Sequence, residues 1–93
     1  MGLFKNLFGQ DRQILEALTA KLGVKPREAR YDDQGRLTKL DLSKLKLARL
    51  PQEIGQLSNL EELDLDGNPL QTPPREIVQQ GTKAILAYLR GLQ

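Results

Sequence analysis

Two aspartates, Asp41 and Asp64, each stand between leucines in matching frames, Lys39-Leu40-Asp41-Leu42-Ser43 and Glu62-Leu63-Asp64-Leu65-Asp66. Carboxylates at matched positions can share a cation or grip a basic side chain of a partner. The same frames carry Lys39 and Glu62, opposite charges that would meet if the frames lay side by side. Little else in the chain has the makings of chemistry. Its 93 residues include no His and no Cys. That removes the usual general base, thiolate nucleophiles, disulfides and zinc sites built on thiolates. Calcium takes about six to eight oxygen ligands, and no EF-hand-type loop is present. The P-loop pattern GxxxxGK[ST] is missing as well. No catalytic residue, metal ligand or cofactor is therefore expected, and the chain is read as non-enzymatic. The two aspartates are expected to be solvated strand positions that repel mildly, since carboxylates about 5 Å apart in water cost little.

The elements that place these residues follow from a repeat. Nineteen of the 93 residues are Leu, whereas the aromatics are only Phe4, Phe8, Tyr31 and Tyr88. Shifting the sequence by 23 positions aligns residues 37–54 with 60–77, and eight of these 18 positions are identical. The first unit reads Leu37-x-x-Leu40-x-Leu42-x-x-Leu45-x-Leu47-x-x-Leu50-Pro51-x-x-Ile54-x-x-Leu57. The second reads Leu60-x-x-Leu63-x-Leu65-x-x-Asn68-x-Leu70-x-x-Pro73-Pro74-x-x-Ile77. Alternation of apolar and polar residues over 39–43 and 62–66 predicts two strands, each with one buried face. Strands 23 residues apart can stack in parallel about 4.8 Å apart, with Lys39 beside Glu62 and Asp41 beside Asp64. Leu37, Leu45, Leu47, Leu50, Ile54 and Leu57 then point inward. Pro51 suits the turn that leaves the first unit, and residues 52–56 suit a short helical turn. Asp66-Gly67-Asn68-Pro69 is a strong turn signal.

These residues resemble leucine-rich repeats of the 23-residue kind, with the pattern L-x-x-L-x-L-x-x-N-x-L followed by L-P-x-x-I-G-x-L. The similarity is to bacterial repeats, including those preceding the GTPase of Roco proteins, and to Ras-scaffold and plant intracellular relatives. Gly81 to Arg90 resembles the helical tail that closes such bacterial arrays. The resemblance spans about residues 36–92. It implies a short α/β solenoid of two repeats whose strands form one side. It also implies that Asn68 hydrogen-bonds buried loop backbone, a place that Leu45 occupies in the first unit. Family members usually bind partners on the solvent face of the strands. Here that face would carry Thr38, Lys39, Asp41, Ser43 and Lys44, then Glu61, Glu62, Asp64 and Asp66.

Two units are few, because stacked repeats of this size usually need about three to bury their apolar faces. Caps are therefore expected at both ends. Downstream, Pro74 suits a first helical turn, Ile77, Val78, Ile85, Tyr88, Leu89 and Leu92 recur at helical spacing, and Thr82 is the expected N-cap after a break at Gly81. This helix should cover Leu63, Leu65 and Leu70. Upstream, Asp11 is the expected N-cap of a helix bearing Ile14, Leu15, Leu18 and Leu22, with Gly23 as its stop. Ala29 to Tyr31, the turn Asp32-Asp33-Gln34-Gly35 and Arg36 to Thr38 predict a hairpin. It would complete a three-stranded mixed sheet in one domain: an N-terminal arm, helix and hairpin cap over 1–36, the repeats over 37–77 and a helical cap over 78–93.

The net charge is +2 with signs interleaved, so no strong field is expected. A nucleic-acid site on Lys39, Lys44, Lys46 and Arg49, or on Lys21, Lys25, Arg27 and Arg30, would adjoin the acidic second unit, and none is expected. In residues 1–9, Leu3, Phe4, Leu7 and Phe8 share one helical face. Lys5 and Asn6 interrupt this run, which is too short for a signal peptide, and Asn6 replaces the Ser or Thr of a myristoylation site. A membrane partner is not expected, and the default location is the cytoplasm. The reading is a protein–protein interaction module with Lys39, Asp41, Ser43, Glu62, Asp64 and Asp66 as candidate contacts, and Pro51, Asn68 and Pro74 as structural residues. The alternative is a homo-oligomer assembled through the amphipathic arm, extending to a membrane surface.

Overall fold

A computed structural model describes residues 2–91, with side chains from residue 10 onward. The amphipathic arm (Leu3, Phe4, Leu7, Phe8) and Leu92 lie outside these described side chains. The element order is helix α1 (Gly2–Leu22), strands β1 (Glu28–Tyr31) and β2 (Leu37–Asp41), a 3₁₀ helix (Gln52–Gln56), strand β3 (Glu62–Asp64), and helices α2 (Arg75–Gln79) and α3 (Thr82–Arg90).

α1 starts well before Asp11, so Asp11 is not its N-cap. Ile14, Leu15, Leu18 and Leu22 form a stripe toward the core, where Leu15 and Leu18 are buried. The helix stops at Gly23, whose φ of 72° is open to glycine and whose N–H donates to Thr19 C=O at 2.8 Å. Freed from capping, the Asp11 carboxylate accepts Leu37 N–H at 2.8 Å and ties α1 to the start of β2. Lys21 meets Glu53 of the 3₁₀ helix at 2.7 Å, and Arg12 stacks over the Tyr31 ring at 4.6 Å.

β1 and β2 form an antiparallel hairpin, closed by Asp32. One oxygen of its carboxylate accepts Gln34 N–H and Arg36 N–H, both at 2.9 Å, while the other meets Arg36 Nε at 2.8 Å. A bulge between Arg30 and Tyr31 interrupts the ladder. β2 pairs in parallel with β3, aligning Lys39 with Glu62, Leu40 with Leu63 and Asp41 with Asp64, a constant 23-residue offset. The sheet is thus mixed, in the order β1-β2-β3. Arg49 and Thr72 make another parallel bridge with the same offset. Both strands end two residues before the alternation implies, because Ser43 and Asp66 already belong to turns.

The leucines of this frame form the core. Leu37, Leu40, Leu42, Leu47, Leu50, Ile54, Leu57, Leu60 and Leu65 are buried, joined by Ile85, Leu86 and Leu89 from α3. Each such side chain contributes about 1.5–3 kcal/mol. Leu45 is only half-buried, and Leu63 and Leu70 are too. Pro51 (φ −64°) leads into the 3₁₀ helix, and Pro74 (φ −60°) stands just before α2.

The C-terminal helix docks elsewhere than its pattern suggests. α3 packs mainly against the 3₁₀ helix, so Leu63 and Leu70 stay partly open. Gly55 permits this, since a Cβ there would meet Arg90 N and Cγ at 3.1 Å and Leu86 C=O at 3.2 Å. Arg90 Nε also donates to Gly55 C=O at 2.8 Å. Thr82 is the first residue of α3 and not its N-cap; Gly81, with φ 105°, holds that place. The Thr82 hydroxyl instead accepts Leu63 N–H at 3.1 Å.

Candidate functional site

The strand period sends alternate side chains to opposite faces. Ala29, Leu40 and Leu63 point inward, while Glu28, Arg30, Lys39, Asp41, Glu62 and Asp64 make up the outer face. The register arranges them in two rows: Arg30, Lys39, Glu62, and Glu28, Asp41, Asp64.

Charges link the rows. Glu28 pairs with Arg30 and, at 3.2 Å, with Lys39, whose ammonium also lies 3.8 Å from Glu62. The Arg30 guanidinium, then Lys39, holds the Glu28 carboxyl below its usual range. Asp41 accepts the Ser43 hydroxyl at 2.6 Å and the Ser43 N–H at 2.9 Å. The hydroxyl first and the amide second lower the Asp41 pKa, helped by Arg27 and Lys39. Arg27 is held nearby, its Nε donating to Ser43 C=O at 2.7 Å. Ser43 is thereby committed to Asp41. Asp64 accepts Asp66 N–H at 3.0 Å, and both aspartates are exposed beside Glu61 and Glu62. The face therefore grades from a neutralised network over β1 and β2 to a row of carboxylates along β3 and the turn after it, of which only Glu62 meets a cation among the described residues.

A cleft of about 450 Å³ opens between β3 and the junction of α2 with α3, lined by residues that include Leu63, Asp64, Val78, Thr82 and Ile85. Among the described residues, no three His, Cys, Asp or Glu side chains group as a metal site. No described helix is long and apolar enough to cross a membrane.

Asn68 underlies the face. Its Oδ1 accepts Leu45 N–H at 2.9 Å and Leu47 N–H at 3.1 Å, and its Nδ2 donates to Leu42 C=O and Leu65 C=O, both at 2.9 Å. One amide so saturates four half-buried backbone groups of two adjoining turns. Glu28, Arg30 and Arg27 belong to the charge network but were not among the sequence candidates for protein contact; Arg27 and Arg30 were weighed only as part of a nucleic-acid site. The signal for Glu28 and Arg30 was their alternation around Ala29, which extends the strand one residue upstream of 29–31.

The Leucine Rich Repeat family model matches residues 59–80. The chain is 55% identical over 47 residues to the probable serine/threonine-protein kinase pats1 of Dictyostelium discoideum, covering 50% of this chain and 2% of that protein. It is 43% identical over 44 residues to leucine-rich repeat serine/threonine-protein kinase 1 of Mus musculus, covering 47% and 2%. Over 53 residues it is 40% identical to plant intracellular Ras-group-related LRR protein 4 of Oryza sativa subsp. japonica, covering 57% and 9%. The chain thus spans under a tenth of these relatives' lengths. No solved structure matches significantly. With its Leu-rich frame, 23-residue register and Asn68 bridge, the chain carries a leucine-rich repeat over residues 59–80.

Proposed function

We propose that the chain is a non-catalytic protein–protein interaction module, a two-repeat solenoid capped by α1 and the hairpin at one end and α3 at the other, working in the cytoplasm. The outer strand face carries this reading. Its charged side chains stand on backbone fixed from below by buried leucines and the Asn68 bridge. That is a rigid platform with a graded charge pattern, which suits recognition of a complementary protein surface. The non-catalytic reading draws on the shifted carboxyls. Glu28, Asp32, Asp41 and Glu53 all shift downward, away from the range a general acid needs near neutrality. The kinase activity named for two relatives belongs to proteins of which this chain matches 2%.

Charge reversal tests the reading. Lys39→Glu and Glu62→Lys should each release a protein captured by the wild-type chain while keeping the fold, as read by circular dichroism. Capture that both variants retain in full would remove the strand face as the site.

A further inference from the structure

By the 23-residue spacing that stacks β3 on β2, the next strand would stand at residues 85–87. The chain does not form it. It turns at Gly81 and runs helical from Thr82, burying Ile85, Leu86 and Leu89 at helical spacing. The cleft of about 450 Å³ runs along the β3 edge that such a strand would have paired with, and reaches Lys39 and Asp41 of β2 across it.

The backbone along this cleft is open. Alternate residues of a parallel strand face its neighbour. Asp64 C=O accepts Leu42 N–H at 2.9 Å on the β2 side, so Leu63 and Leu65 face the cleft. Leu63 N–H is held by the Thr82 hydroxyl. Leu65 N–H has no acceptor among the described residues. Half-buried Leu63 and Val78 supply an apolar floor. Glu62, Asp64 and Asp66 rim it, and the nearest paired cation is Lys39, 3.8 Å from Glu62.

We infer that this slot takes an extended, lysine- or arginine-bearing segment of a partner protein, added as a strand beside β3; the inference rests on the interaction-module reading. Backbone pairing would use Leu65 N–H and Leu63 C=O, which faces the cleft with the rest of the Leu63 backbone; Leu65 C=O is held by Asn68. Alternate side chains of the segment would lie over Leu63 and Val78, and those between them would carry ammonium or guanidinium groups to Glu62 and Asp64. The charge is what selects the class, since an acidic segment would face three carboxylates. A second copy of the chain is a poorer fit, because its own free edge, β1, is broken by the bulge at Arg30 and Tyr31.

The test uses the full chain, labelled with ¹⁵N, and a fluorescent peptide of alternating Lys and Val about seven residues long. A second peptide of the same sequence is N-methylated at its three central residues, lysine and valine alike, which keeps the charge and removes the backbone donors for either strand direction. The expected result is saturable binding of the first peptide, amide shifts over Leu63 to Asp66, and Leu65 N–H exchange slowed about tenfold or more. The N-methylated peptide, and the Glu62→Gln, Asp64→Asn double variant, should each bind about fivefold or more weakly. Equal affinity for both peptides with unchanged Leu65 exchange would reduce the effect to charge alone and overturn the inference. Shifts confined to Glu28, Arg30 and Lys39 would overturn it too, while leaving the strand-face reading standing. Leu65 protection in the chain alone, with a doubling of mass, would give the slot to a second copy instead. No binding of either peptide at about 1 mM removes the inference.

Discussion

Lys44 and Gly67 occupy the same place in successive turns, 23 residues apart, with φ angles of 55° and 75°, and a Cβ on Gly67 would come within 2.9 Å of Lys44 Cγ. Both turns need a left-handed residue here, but only one of them has glycine. A lysine at positive φ costs about 1 kcal/mol relative to glycine, and it crowds the site above it.

Gly67→Ala should therefore destabilise the chain by about 1–3 kcal/mol, combining the left-handed φ with the contact. Lys44→Gly should be near neutral or stabilising by about 0.5 kcal/mol. In the double variant the alanine loses its clash, so the two changes should be non-additive in a urea-denaturation cycle. Strict additivity would mean that the contact does not matter.

Asn68→Ala strips hydrogen bonds from Leu42, Leu45, Leu47 and Leu65 at once. Each half-buried orphan costs about 1–3 kcal/mol when water cannot reach it, so a loss of about 3 kcal/mol or more is expected. Asn68→Asp keeps the acceptor but sets an anion against the two carbonyls, and should be no better. Unfolding midpoints of both variants check this.

Gly55→Ala tests how α3 is held. The methyl group would press on the α3 backbone at Arg90 and Leu86. A loss of about 1–3 kcal/mol is expected from this overpacking. Amide exchange should quicken first in α3, while the β1–β2 hairpin keeps its protection. Uniform quickening would contradict a local effect.

The acid limb of stability should come from carboxylates alone, since the chain has no His. Asp32 is lowered from 3.8, first by the Arg36 backbone N–H, and Glu53 is lowered from 4.5, first by Lys21. A depressed folded-state pKa gives stability that is full above the unfolded value and lost as pH falls through the folded one. Melting temperature should be flat from pH 8 to about 5 and fall below about 4. Asp32→Asn should lower it at pH 7 yet converge with the wild type at pH 2. A step between pH 6 and 7 would contradict this assignment.

Much of the face was legible because a strict repeat converts sequence offset into spatial register. A shift of 23 places Lys39 against Glu62 and Asp41 against Asp64, with no knowledge of the rest of the chain. The hairpin was readable for a similar local reason, a polar turn ending in Gly35 between two extended runs. The misreadings share one cause. Asp11 and Thr82 look like N-caps because short polar side chains ahead of apolar stripes satisfy nearby backbone donors. Both do accept backbone N–H groups, but those of Leu37 and Leu63, which are brought to them only by tertiary packing. The docking of α3 was hidden likewise. Its apolar stripe is plain, but its seat depends on the missing Cβ of Gly55, which reads in sequence as one more turn glycine.

The two pairings of the sheet impose an order on its assembly. β1 and β2 are joined by residues 32–36, whereas residues 42–61 separate β2 from β3. Closing the longer loop costs about 1 kcal/mol more in chain entropy, and its rewards, the leucine stack and the Asn68 bridge, arrive only once it is closed. The hairpin should thus be the early template on which β3 later condenses. Mutations in the hairpin turn at Asp32 should slow folding, and those at Asn68 should chiefly speed unfolding.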